Sequence, residues 1–125
     1  MSVTIEDPNG AITRYLDDVT EGAITATLFE VDGRLREITP IDTGFARNSW
    51  IVTMDEDNEG NLGANPPGGE ALQYSLEKVA YINNGAAYIR RLDNGHSQQA
   101  PGGMTDVVIP QIPRIIEREV QRRAE

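Results

Sequence analysis

The sequence predicts an α+β fold in which a long N-terminal helix and a C-terminal helix pack on a small antiparallel β-sheet. Three observations carry this expectation. Apolar residues recur at Ile12, Leu16, Val19 and Ala23, then at Ile24, Leu28, Val31, Leu35 and Ile38, and steps of three and four mark one helix face. The pattern then changes: Ser49-Trp50-Ile51-Val52-Thr53-Met54 is rich in β-branched and aromatic residues, and Lys78 to Ile82 alternates, so both read as strands. Helical spacing returns from Thr105 to Arg123 at Val108, Ile112, Ile115, Ile116 and Val120. A chain of 125 residues with no internal repeat and no composition break reads as one domain, residues 1–125, in the order α, β, β, α.

Each element has a local cause. Asp7 is placed to cap the first helix, and Pro8 suits a first helical position because its missing donor has no partner there anyway. Thr39-Pro40 ends that helix, since a residue before proline is pushed out of the α region. The apolar stripe shifts by one residue near Gly22, which predicts a bend or a change of contacted surface. A helix over residues 8–37 is roughly 45 Å long at ~1.5 Å per residue. A compact chain of this size is only roughly 36 Å across. Part of the helix therefore has to meet another subunit.

Residues 55–69, DEDNEGNLGANPPGG, read as a long polar loop with Pro66-Pro67 and Gly68-Gly69 as breakers. Glu70 to Leu76 reads as a short helix, Asn83-Asn84-Gly85 as a turn, and Tyr88 to Leu92 as a helical turn ending near Gly95. Residues 96–103, HSQQAPGG, form a further loop. Pro110 and Pro113 should bend or delay the last helix.

Composition narrows the function. The chain has 20 acidic and 11 basic residues, a net charge of −9, and no cysteine. Disulfides, thiolate nucleophiles and cysteine zinc sites are thereby excluded, which fits a reducing cytoplasm. His96 is the one histidine, so a multi-histidine metal site is excluded within one chain. No stretch approaches the ~20 apolar residues of a membrane span, and the first residues lack the basic start and apolar run of a signal peptide. A simple DNA clamp does not fit either, because affinity for phosphates comes from neutralising them with Lys and Arg. The acidic excess lies in residues 1–60, with 13 acids against 4 bases, while residues 61–125 hold 7 of each. Ten of the 11 bases are arginine, whose planar fork suits carboxylates at interfaces, so subunits paired head to tail are one expectation. Drift of a GC-rich genome accounts for the same bias.

Candidate chemistry is weak throughout. Asp55-Glu56-Asp57-Asn58-Glu59-Gly60 opens with calcium-loop spacing, but its twelfth place, where a bidentate Glu belongs, is Pro66. His96-Ser97 with Asp93 nearby does not make a triad, since adjacent residues on one loop rarely point at one another and no G-x-S-x-G elbow is present. The glycine-rich residues 60–69 lack the Lys-Ser/Thr ending of a phosphate loop. The expectation is no catalysis, no cofactor and no metal. Asp42-Thr43-Gly44 reads as a tight turn after the long helix, with Arg47 reaching Asp42 and Trp50 filling the core under the helix.

Two segments together resemble the neck proteins of tailed bacteriophages, the head–tail joining family also called tail-completion or minor tail proteins. The first is TPIDTGFARNSW, with Thr39, Pro40, Asp42, Thr43, Gly44, Arg47, Ser49 and Trp50 matching the family pattern. The second is YINNGAAYIRRLDNGHSQQAPGGM, with Asn83, Asn84, Tyr88, Leu92, Gly95, His96, Ser97, Gln99, Ala100, Pro101, Gly103 and Met104 matching. Asp93 departs from the commoner Glu, and the Pro110/Pro113 pair is unusual. The resemblance implies a small α+β virion subunit at the head–tail junction, made in the host cytoplasm. It would assemble, expectedly as a hexamer, into a ring between the portal or head-closure proteins and the tail tube or its terminator, with DNA passing through the channel without specific binding. A tail terminator capping the tube is the nearest alternative, and a soluble regulatory or nucleic-acid-binding module the alternative of another class. Asp42, Gly44, Arg47, Trp50, Asn83, Tyr88, His96, Gln99 and Pro101 are the expected structural or interaction residues. The loop from His96 to Pro101 is the candidate for contacts between subunits, and the acidic 55–59 loop for facing the channel or the neighbouring ring.

Overall fold

A computed structural model describes residues 2–4, 6–40, 45–57, 63–86, 89–95 and 102–124. Helix α1 runs over Ala11–Ile38, followed by a short helix α2 (Phe45–Asn48) and strand β1 (Trp50–Met54). A 3₁₀ turn at Ala71–Gln73 leads to strand β2 (Ala80–Asn84), then helix α3 (Ile89–Asp93). Helix α4 (Thr105–Val108) passes through a 3₁₀ turn (Ile109–Gln111) into helix α5 (Ile112–Ala124). This is the α+β arrangement expected.

Helix α1 begins three residues after Pro8. Gly10 occupies the left-handed conformation at φ 71°, and Asp7 caps from outside the helix. Its carboxylate accepts from the Ile12 N–H at 2.9 Å and from the Thr13 N–H and hydroxyl at 3.0 and 2.7 Å. Those bonds, the Ile12 one foremost, hold the Asp7 carboxyl below its ordinary range. So Asp7 does cap, but Pro8 lies in the lead-in turn because the chain must reverse at Gly10 before it can wind.

Gly22 sits inside one continuous helix, so the shift of the stripe marks a change of contacted surface. Residues 11–18 are all exposed, whereas Ala23, Thr27, Val31, Asp32, Leu35 and Arg36 are buried. The absent side chain makes room for a neighbour: a Cβ at position 22 would lie 2.7 Å from Arg123 Nε on α5.

The sheet has two antiparallel strands in the register Trp50↔Asn84, Val52↔Ile82, Met54↔Ala80. The even-numbered residues share a face, as the two-residue period requires. Trp50 and Ile82 pack with Val31 and Leu35 of α1 and with Met104, Val108 and Ile115, while Val52 and Met54 pack with Leu28, Ala71, Tyr74 and Ala80. Asn83 and Asn84 belong to β2 rather than to a turn, because the strand pairs two residues further than its alternation predicts. Likewise Glu70 to Leu76 holds only a single 3₁₀ turn. Its start is tied instead to β1: the Glu70 N–H donates to the Val52 carbonyl at 2.9 Å and the Glu70 carboxylate accepts from the Met54 N–H at 2.8 Å. Glu70 thus stands in for a third strand along that edge.

Pro110 and Pro113 delay the last helix as expected. Pro110 sits in the 3₁₀ turn and Pro113 in the first turn of α5, where a backbone donor would have no intrahelical partner. Helix α5 lies antiparallel to α1, with contacts from Arg34–Gln111 at one end to the Tyr15 hydroxyl on the Ala124 carbonyl (3.2 Å) at the other.

Candidate functional site

The first motif block is the joint between α1 and β1. Thr39 ends the helix with its N–H and its hydroxyl both on the Leu35 carbonyl. The Trp50 indole N–H donates to Thr39 Oγ1 at 2.9 Å, and Trp50 is only 4% exposed. Arg47 closes the helix C-terminus, donating to the carbonyls of Glu37 (2.9 Å) and Thr39 (3.1 and 3.3 Å), where a cation also suits the helix dipole. Asp42 and Gly44, expected to shape the turn beside Arg47, lie outside the described residues. Trp50 is buried under α1 as predicted.

The described part of the second block spans the end of β2, α3 and the approach to α4. Leu92 packs against the core, and Asn83 pairs with Ile51 across the sheet. The Asp93 carboxylate bridges the chain to the start of α4, accepting from the N–H groups of Met104 (3.1 Å) and Thr105 (2.7 Å) and from the Thr105 hydroxyl (2.6 Å). Partial burial works against its charge, but these three bonds outweigh it and hold the Asp93 carboxyl below its ordinary range. Gly103, at φ 78°, is seated so closely that a Cβ there would lie 2.0 Å from the Asp93 carbonyl oxygen. Asp93 and the stretch from Gly103 to Thr105 are therefore held tightly together. Tyr88, His96, Gln99 and Pro101 themselves lie outside the described residues.

Three groupings were not predicted. Asp32 and Arg36 form a buried ion pair at 3.0 Å on the inner face of α1. Arg36 also donates to the carbonyls of Trp50 (2.6 Å), Asn65 (2.8 Å) and Pro66 (3.2 Å), and Asp32 accepts from the Gly68 N–H at 2.9 Å. The second half of the polar 55–69 loop is thereby pinned to the helix, while Asp55, Glu56 and Asp57 are exposed. The signal was present: an Asp and an Arg four apart, inside the stripe of Leu28, Val31 and Leu35.

The second grouping is Glu119, buried and in contact with Arg118 (3.0 Å), Arg122 (3.5 Å) and Arg123 (2.5 Å). The Arg123 bond first, then those of its neighbours, hold the Glu119 carboxyl below its ordinary range. The third is a groove of about 520 Å³ between α1 and α5, lined by Arg34, Pro110, Gln111, Arg114, Ile115 and Arg118. Arg114, Arg118 and Arg122 follow one another at four-residue steps, so they share a helix face.

Among the described residues no group of three or more His, Cys, Asp or Glu side chains is placed to hold a metal ion, and no helix is long and apolar enough to cross a membrane. Comparison with protein-family models, with curated proteins and with solved structures found no match for this chain. The most distinctive surface is the first half of α1: Ile12, Tyr15 and Leu16 are 46, 52 and 55% exposed, on a helix that outruns the core it serves.

Proposed function

We propose that this chain is a structural subunit of a tailed-bacteriophage neck, which assembles as a ring joining head to tail, completes the tail and leaves a channel for DNA. The observation that carries the reading is the exposed first half of α1. A helix of 28 residues is about 42 Å long. The sheet, α4 and the 3₁₀ turns pack on its second half and only the end of α5 reaches the first, so Ile12, Tyr15 and Leu16 stay about half exposed. Such a face is a contact surface for another subunit.

The resemblance to neck proteins supplies the place of assembly, and its two blocks fall at joints that set the shape of the subunit. The first sets the angle between α1 and the sheet through Thr39, Arg47 and Trp50. The second ties Asp93 to Gly103 and to the start of α4, which fixes α3 against α4. The role is architectural and involves no catalytic step. A net charge of −9 fits a channel along which DNA slides rather than sticks.

Electron microscopy of intact particles, with the chain located by tagging or antibody, tests this. Density between portal and tail tube is the expected result. Particles that lack the chain altogether would overturn the assignment.

A further inference from the structure

The protein carries a net charge of −9, yet one concave surface gathers positive charge. The groove of about 520 Å³ between α1 and α5 is lined by Arg34, Arg114 and Arg118. Glu30 pairs with two of them, lying 3.4 Å from Arg34 and 2.7 Å from Arg118. Glu119 also meets Arg118, but Arg122 and Arg123 already balance it. Glu37 and Glu117, one turn from Arg34 and Arg114 on their own helices, form no ion pair with them among the described residues. The three arginines of the groove therefore face Glu30 with a surplus of about two positive charges.

Two bridges hold the walls of the groove in place. At one end Arg34 Nη1 donates to the Gln111 side-chain carbonyl, and at the other Arg118 donates to both Glu30 oxygens at 2.8 and 2.7 Å. Gln111 and Arg118 are about 10 Å apart along α5, and Arg114 stands between them on the same helix face. Arg114 is exposed and has neither a hydrogen bond nor an ion pair among the described residues. Every hydrogen bond of Arg118 leaves from Nη2, so its Nη1 and Nε keep their donor capacity. Ile115 packs into the core at 2% exposure and closes the floor. An anion above that floor is screened by water on one side less than on the other.

We propose that this groove binds a phosphate group, with Arg114 as its principal contact and Arg34 and Arg118 on its flanks. A guanidinium fork matches phosphate oxygens two at a time. A phosphate of about −2 charge near neutral pH balances the surplus, whereas one carboxylate neutralises half of it. Two successive phosphates of a nucleic-acid backbone carry the same charge, so the group has two sources, the free anion and a backbone.

Isothermal titration of the full chain with inorganic phosphate, replacing chloride at constant ionic strength, tests the site. Saturable binding of one anion per chain is expected. Arg114→Gln should weaken it by about tenfold, as loss of one charge-assisted contact does. Arg90→Gln removes an exposed arginine on α3 that does not line the groove, and should leave binding unchanged. Arg114 has no partner within the described fold, so circular dichroism and melting of Arg114→Gln should match wild type. Duplex DNA retained by wild type, displaced by phosphate and released by Arg114→Gln would identify a backbone as the source. Phosphate binding without DNA retention would identify the free anion. No saturable phosphate binding by wild type would overturn the proposal. Equal affinity in wild type and Arg114→Gln, or an equal loss in Arg90→Gln, would do the same. The ring assignment stands or falls separately, on the particle images.

Discussion

Replacing Arg36 with methionine should remove most of what holds the 63–70 segment to α1. Arg36→Met keeps the apolar stem and deletes the guanidinium, which carries the ion pair to Asp32 and donates to the Trp50, Asn65 and Pro66 carbonyls. Asp32 is fully buried, and its Oδ1 already has no partner among the described residues. Stranding a buried charge in this way costs about 3–5 kcal/mol. The buried Trp50 carbonyl adds about 1 kcal/mol, whereas the loop carbonyls can turn to water. Packing of the methionine offsets part of this, for a net loss of about 4 kcal/mol. With a urea m-value of about 1.5 kcal/mol/M, the unfolding midpoint falls by roughly 2.5 M. A second variant isolates the cause. Asp32→Asn/Arg36→Met removes the stranded charge and should be more stable than Arg36→Met by about 1–3 kcal/mol. A midpoint shift below about 0.5 M for the single variant would refute the buried-pair reasoning, as would a double variant no more stable than the single.

Three further outcomes are expected. Trp50→Ala removes the largest core side chain under α1 and should cost about 3–5 kcal/mol in denaturant unfolding. The wild-type indole should correspondingly resist aqueous quenchers, and an unchanged melting temperature would mean the side chain contributes no packing. Gly103→Ala should lose about 2–4 kcal/mol, since the new Cβ meets the Asp93 carbonyl and the residue sits at positive φ. Asp93→Ala should cost about 1 kcal/mol near neutral pH, like the loss of a helix cap. Its pH dependence follows from a folded-state carboxyl that holds its proton less readily than the unfolded one. The stabilisation is complete above the ordinary carboxylate range and is lost as pH falls through the lowered folded value. The gap between wild type and Asp93→Ala should therefore close in acid, and a gap that stays constant would argue against the ionised bridge.

Periodicity alone determined the secondary framework of this protein: the spacing of Leu28, Val31 and Leu35 on α1, the alternation around Trp50, and the return to helical spacing at Val108 and Ile115. These signals are legible because burying one face of a helix or strand imposes a fixed repeat on the chain. The burial of Trp50 and the delaying action of Pro110 and Pro113 were legible for equally local reasons. What only the tertiary structure decided was the destination of the polar groups. Arg36 looks like one half of a surface pair until the 63–70 segment folds over it, and Glu119, whose three arginines lie within one turn on its own helix, is buried only because α5 lies along α1. Glu70 caps the open edge of β1 from 16 positions away in sequence. Gly22 matters as a slot for Arg123, again a contact no local spacing encodes. A hydrogen bond depends on where two distant segments come to rest, whereas a hydrophobic stripe depends only on its own element, and that difference separates what could be read from the sequence from what the fold alone decided.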